Sequence, residues 1–540
     1  MGTVLILIVL GIAIGIFVRW NKNEQARQAR EQHERERAEE QRVEDCGRVV
    51  LDFANICGYI ARKVISREEL GELIDAGATP LALATEILNR IDALDGLVVG
   101  YQSLIPGQVE IEVKLTEDLR EKHVYVIGKS GSGKTTLLRS MILQDIDRGN
   151  GVGVLAPEQE MLTEELLPYI PEHRIDDVVY LNPTDTDSPV CFNPLHRDEG
   201  EDVDLKVDEN LAIFQRVFND TGPRTESILR HGFYALIERE GSTLLDFPKL
   251  LDRGDDGFRK EIIRTSNEPA TVEFWEGTYE HMPKDAHLPI ETRLGRILRP
   301  RMVRSILCNP NPERNLHFRD AMDSGKILLF NLSDALLGEI NSQLLGQLVV
   351  SKFQLATMSR ADIHKASRRP FYLYIDEFQT FTTAATTSYE KMLSRARKYK
   401  LGLILAHQQT GQIPLDLLKE IFGNVSTIIG FQVSQSDASK LAKELITEID
   451  GEVIHIPEES LLKLRVGQAY CKIAQSSFRM YTAKPPARGS SSRSRTIIER
   501  SRQNYGSPTT DESKEQRKAG ETKTPPQGDI LNDIDPSKVF

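Results

Sequence analysis

Cysteine is scarce in this chain: five residues in 540, at 46, 57, 191, 308 and 471. No two of them form a CxxC pair and no histidine cluster accompanies them, so neither a disulfide scaffold, a zinc motif nor a redox motif is predicted. Positive charge is not in excess either. Lys and Arg number 68 against 80 Asp and Glu, a formal net charge of −12. That balance excludes a histone-like coat for nucleic acid, though not a locally basic channel. Aromatic residues make up only 6%, while 40% of the residues are hydrophobic and 27% charged. This is the composition of an ordinary globular chain, so collagen, wholesale disorder and a multi-span transporter are excluded. A chain of 540 residues holds two to four domains at roughly 100–200 residues each.

The one long charge-free apolar run is VLILIVLGIAIGIFV, residues 4–18, followed at once by Arg19, Trp20 and Lys22. Counted from Met1, it reaches the ~17–25 residues a spanning helix needs. It has neither the basic start nor the small-residue cleavage site of a signal peptide. A single-pass anchor over residues 1–20 is expected. The basic flank places the rest of the protein in the cytoplasm, at the inner membrane. Residues 21–100 read as a charged helical stalk followed by short amphipathic helices. From residue 485 the chain turns to Ser, Arg, Pro, Thr and Gly, and a disordered tail over 485–540 is expected.

Residues 122–127 (KHVYVI) form a strand-like run, 128–135 read GKSGSGKT, and LLRSMILQDI follows with helical spacing. This is G-x-x-x-x-G-K-[ST] in a strand–loop–helix setting. Gly128, Gly131 and Gly133 let the loop curl so that its amides face phosphate oxygens. The predicted nucleotide cradle is Gly128, Lys129, Ser130, Gly131, Ser132, Gly133, Lys134, Thr135 and Thr136. Lys134 is suited to the β- and γ-phosphates of ATP and Thr135 to Mg²⁺.

A second buried strand, FYLYIDE over 371–377, ends in two acids. Asp376 is expected in the Mg²⁺ shell and Glu377 as the group that polarises the attacking water. A third, LGLILAHQ over 401–408, offers Gln408 as a sensor of the γ-phosphate, with Gln409 as its rival and His407 in a positioning role. Further strands are expected at 152–156, 178–182, 326–332 and 426–432. Strands alternating with helices predict a parallel α/β sheet. A strand inserted between the phosphate-loop strand and the acid strand, with Glu after Asp, is the RecA-type order. No [NT]-K-x-D guanine motif occurs. Helical periodicity over about 205–300 breaks the alternation and predicts an all-α insertion.

Taken in order, HVYVIGKSGSGKTTLL, RIDDVVYLNPTDTDSPVCFNPL, GKILLFNLSDALLGE, RRPFYLYIDEFQTF and LSRARKYKLGLILAHQQTGQ resemble the HerA–FtsK superfamily of ring motors. The chain is most similar to the conjugative coupling ATPases of type IV secretion, over about Leu115 to Tyr481. The resemblance implies a RecA-like P-loop ATPase domain in two parts, 101–204 and 306–484, around the insertion at 205–305. It further implies a homo-hexamer that moves DNA through its pore, with secretion-channel or relaxase partners. It also implies an arginine finger acting on the neighbouring subunit's ATP, matched here by Arg397, with Arg395 second. The same engine could instead drive protein export or pilus assembly, or serve a nucleotide-gated membrane scaffold. One departure stands out: where relatives carry Asp-Pro-His-Gly-Asp, this chain has Ala156-Pro157-Glu158-Gln159-Glu160.

Overall fold

The computed structural model describes residues 2–105, 109–198, 201–217, 222–449, 452–484 and 490–507. The chain forms two compact units: residues 1–145 with 402–486, and residues 146–401 with 487–540.

The first unit opens with a continuous helix, Gly2–Val64. Residues 47–64 are therefore the end of a long helix, where separate short helices were expected. Ser66 then starts the next helix, Arg67–Asp75, through a capping box with Glu69. Thr79 caps a third, Pro80–Asp92, whose buried face is Leu83, Ala84, Ile87 and Ile91. Among the described residues, no helix is long and apolar enough to cross a membrane. The expected anchor at 1–20 includes residues 1–9 and 11–13, whose side chains lie outside the described ones.

Strands β1 (Leu97–Ile105) and β2 (Val109–Leu115) pair antiparallel, and β3 (Val124–Ile127) leads into the glycine-rich loop. All four residues of β3 are buried. That fits an apolar strand covered on both faces, where each large side chain contributes about 1.5–3 kcal/mol.

In the second unit, β4 (Gly151–Ala156), β5 (Val178–Leu181), β6 (Ile327–Asn331) and β7 (Phe371–Ile375) form a parallel sheet of order β7-β4-β6-β5. The described residues between β5 and β6 include helices from Val203–Val217 to Phe318–Ser324 and no strand. The unit also holds a correction to the expected tail. Ser491–Tyr505 is a helix, with Ile497 and Ser501 buried, and Ser501 Oγ accepts the Tyr180 N–H at 2.7 Å. Its Ser/Arg-rich composition hides a narrow helical stripe, Ser494–Ile497–Ser501, that suffices to dock on β5. Residues 508–540 lie outside the described residues.

The chain returns to the first unit with β8 (Leu401–His407), β9 (Thr427–Gly430), the hairpin β10 (Ile446–Ile449) and β11 (Glu452–His455), and then β12 (Gln468–Ile473) and β13 (Ser476–Thr482). The sheet order here is β2-β1-β13-β12-β9-β3-β8. The pairs of β3 with β8 and β9 are parallel, and those from β9 outward to β2 are antiparallel. This is a mixed α/β fold of RecA-like type, with parallel strands β9, β3 and β8 at one end of the first unit's sheet and throughout that of the second.

Candidate nucleotide site

In the first unit, Ile127, the last residue of β3, registers with His407 on β8 and with Gly430 on β9. The glycine-rich loop and Gln408 thus leave adjacent strand ends. The loop is shaped from below. Gly128 N–H donates to His407 C=O at 3.3 Å, Lys129 N–H to Gln432 C=O at 2.8 Å, and Gly467 N–H to Ser132 C=O at 3.1 Å. A Cβ on Gly128 would sit 2.5 Å from Phe431 Cβ. Gly131 and Gly133 have φ of +71° and +117°, a region side-chain-bearing residues rarely enter. Lys134 opens the helix Lys134–Asp147 and is buried. Its ammonium donates to Gly128 C=O at 2.7 Å and to Lys129 C=O at 3.3 Å, which holds it inside the loop. Ser132 Oγ is buried with no hydrogen-bond partner. Thr135 is half-buried, while Lys129, Ser130, Gly131 and Thr136 are exposed. Curled glycines, an enclosed ammonium, a helix N-terminus and an unsatisfied hydroxyl together fit a bound polyphosphate.

The end of β8 is held by His407, expected in a positioning role, and by Thr410, Asp437 and Lys440, which sequence reading passed over. His407 is fully buried and bonded through Nε2 to the Tyr125 hydroxyl. Burial pushes its pKa down to about 3, so the ring is neutral at physiological pH. Two residues beyond the half-buried Gln408, Thr410 gives both its N–H (3.1 Å) and its hydroxyl (2.6 Å) to Asp437 Oδ1. Lys440 donates to the same hydroxyl at 2.8 Å. Asp437 also takes the Ser434 hydroxyl at 2.7 Å, at the start of the helix Gln435–Glu444. The sequence signal for this was Ser434-x-x-Asp437, a capping pattern before an apolar run.

In the second unit, Asp376 directly follows β7 and its N–H donates to Leu155 C=O on β4 at 3.2 Å. Asp376 is buried, and its Oδ1 accepts the Glu377 N–H at 3.0 Å. Glu377 adopts left-handed backbone angles, φ 44° and ψ 48°. That conformation costs a non-glycine residue about 1–2 kcal/mol. Gln379 Nε2 donates to Glu377 Oε2 at 2.7 Å and fixes the carboxylate. Arg397 lies with an exposed side chain on the turn Ala396–Tyr399, ahead of β8, and Arg395 is exposed beside it. Glu158 and Glu160 of the altered loop after β4 are both exposed.

No family model and no curated protein matches this chain. Solved structures do. The bacterial conjugative coupling protein TrwB, in an unbound form lacking its first 70 residues, is 15% identical with a TM-score of 0.50, over 70% of this chain and 88% of that one. The fold is of the coupling-protein type. TrwB in complex with ADP and Mg²⁺ matches with the same TM-score and coverage at 16% identity. VirB4 of Thermoanaerobacter pseudethanolicus, 14% identical at a TM-score of 0.50, covers 73% of this chain and 97% of its own.

Proposed function

We propose that the protein is an ATP-hydrolysing motor of the coupling-protein type that moves DNA in a type IV secretion-like system, anchored in the inner membrane by residues 1–20. The observation that carries the ATPase reading is the Lys134 ammonium enclosed by the Gly128 and Lys129 carbonyls in a loop with no room for a Cβ at Gly128. In this reading the loop amides and Lys134 bind the β- and γ-phosphates. Thr135 and Asp376 hold Mg²⁺, which neutralises charge developing on the transferred phosphoryl group. Glu377 orients and deprotonates the attacking water, and its strained backbone fits a residue kept for chemistry. Gln408 contacts the γ-phosphate or the water, and Asp437 fixes the strand end from which Gln408 projects. Arg397, exposed on the surface, supplies positive charge to the ATP of a neighbouring subunit in a hexamer. TrwB with bound ADP and Mg²⁺ supports the choice of nucleotide and metal.

The deciding experiment is the ATPase rate of the full-length protein with and without single- and double-stranded DNA. A severalfold stimulation supports the translocase and shows which strand form engages it. A solid basal rate indifferent to DNA turns the reading towards protein export or pilus assembly. No turnover in a folded, assembled sample favours the scaffold. Lys134→Ala serves as the control that loses nucleotide binding. Flotation with lipid vesicles, comparing the full chain with one lacking residues 1–20, tests the anchor: equal flotation of the two sinks it.

A further inference from the structure

The all-helical region enters and leaves the second unit through a narrow neck. Leu316 N–H donates to Cys191 C=O at 2.7 Å, Asn193 N–H to Asn315 Oδ1 at 3.0 Å, and Phe192 N–H to Ile306 C=O at 3.0 Å. At this neck three side chains converge: His196 and Asp198 on the entering segment and His317 on the leaving one. Their ligand atoms all lie within 4.8 Å of one another. Asp198 Oδ1 is 2.7 Å from His317 Nδ1 and 3.3 Å from His196 Nε2.

The protonation states make this arrangement informative. His317 Nε2 is 3.1 Å from Pro312 C=O, which can only accept, so Nε2 carries the ring proton. Nδ1 then turns its lone pair on a carboxylate oxygen. That contact needs a positive centre, either a second proton or a metal ion. The other carboxylate oxygen has nothing to bind. Asp198 Oδ2 is buried with no hydrogen-bond partner, and the Asp198 side chain is only 6% exposed; His196 Nε2 is buried too, with only its 3.3 Å contact to Asp198 Oδ1. His317 is braced from behind by the Pro312 carbonyl, as metal-ligating imidazoles usually are, and the segment with the other two is held through its main chain. The Asp198 N–H donates to Glu201 Oε2 at 3.1 Å, and Lys352 Nζ holds the His196 carbonyl at 3.1 Å. In front lies a cleft of about 530 Å³ whose walls bring Asp320, Asp323 and Asp362 against Arg197 and Arg319. Asp362 and Asp323 are paired there with Arg319 and Arg360, and Lys352 lies behind Asp198, so the ligand atoms themselves, not the surrounding charge, make the site.

We infer that His196, Asp198 and His317 form a site for a zinc-class divalent ion, which pins together the two ends of the helical insertion. Two imidazoles and one carboxylate suit such a borderline ion, with the fourth position open to water from the cleft. Binding is independent of the nucleotide site, so its failure and the failure of the ATPase reading are separate results.

The test uses the full-length protein without nucleotide, stripped with chelator and titrated with Zn²⁺ and with Co²⁺ as a spectroscopic stand-in. About one equivalent per chain is expected, with intense visible bands of four-coordinate Co²⁺. Asp198→Asn and His317→Ala should each weaken binding at least tenfold. Chelator should lower the melting temperature of the unaltered protein and leave that of His317→Ala where it is. Metal binding of equal affinity in both variants, or none in the unaltered protein, overturns the site and leaves a proton shared between His317 and Asp198. If neither variant folds, the Co²⁺ spectrum of the unaltered protein decides: weak six-coordinate bands overturn the proposal.

Discussion

Two buried strands end in polar turns, and the two turns solve the same geometric problem in opposite ways. After β3, the backbone reaches positive φ at Gly131 and Gly133, where no side chain resists. After β7, it reaches positive φ at Glu377, where one does. The first turn has to present amides to an anion, so side chains are absent. The second has to present a carboxylate, so the side chain stays and the backbone takes the strain. A loop that binds with its main chain can relax into glycine, whereas a loop that reacts through a side chain cannot.

The largest effects are expected where a side chain is proposed to act on the reacting phosphate. Arg397→Ala should lower turnover by about 10³–10⁵ and leave nucleotide affinity in place. Glu377→Gln should lower it by about 10²–10⁴, again with binding intact. Mixing the two inactive proteins sharpens the assignment. Activity regained must come from interfaces that pair an intact Arg397 with an intact Glu377, and a mixture that stays inactive removes Arg397 as a finger acting in trans. Wild-type hydrolysis by Glu377→Gln would end its catalytic role.

A smaller effect is expected from His407, which underlies the Gln408 end of β8. Its folded pKa, lowered to about 3 from 6.5, means that the unfolded chain takes up the proton first. The stabilising contribution is complete above pH 6.5 and is lost as pH falls towards 3, with a slope of about 1.4 kcal/mol per pH unit. Denaturant melts of the unaltered protein and of His407→Gln across that range should differ in slope by about one proton. Parallel curves would show that the ring is already charged in the folded state.

These contrasts were unequally visible in the sequence. The parallel strands were legible because strands buried on both faces read as unbroken apolar runs, as in VYVI, FYLYI and LGLILAH. The antiparallel strands β1, β2, β12 and β13 were not read: VEIEVKL carries the alternation of a half-buried strand and could have been found, whereas SSFRMYT alternates poorly and no turn pair marks its hairpin. The glycine loop announces itself because its residues are contiguous. The neck cluster does not, because His317 joins His196 and Asp198 only after a long helical insertion has folded. The left-handed turn at Glu377 was also invisible: nothing local to Ile-Asp-Glu-Phe demands it, and it arises from β7 being held in register with β4 while Asp376 caps the next amide.

The smallest effects test the comparison most directly, because they exchange the two solutions. Gly133→Ala places a methyl at φ +117°, 3.2 Å from the Phe431 ring and 3.4 Å from the Gly467 amide nitrogen. It should cost roughly 1–3 kcal/mol of stability through backbone strain. Glu377→Gly does the reverse. It releases the left-handed strain, offset in part by the extra freedom of glycine in the unfolded chain, so stability should change by only about 0–1 kcal/mol, and upward. Turnover should nevertheless collapse as in Glu377→Gln. The informative result is this opposition of sign: a melting temperature that falls for Gly133→Ala and holds or rises for Glu377→Gly. If Glu377→Gly instead melts well below the unaltered protein, the Gln379–Glu377 contact is what holds the turn, and the strained glutamate is a structural part and not a residue retained for chemistry.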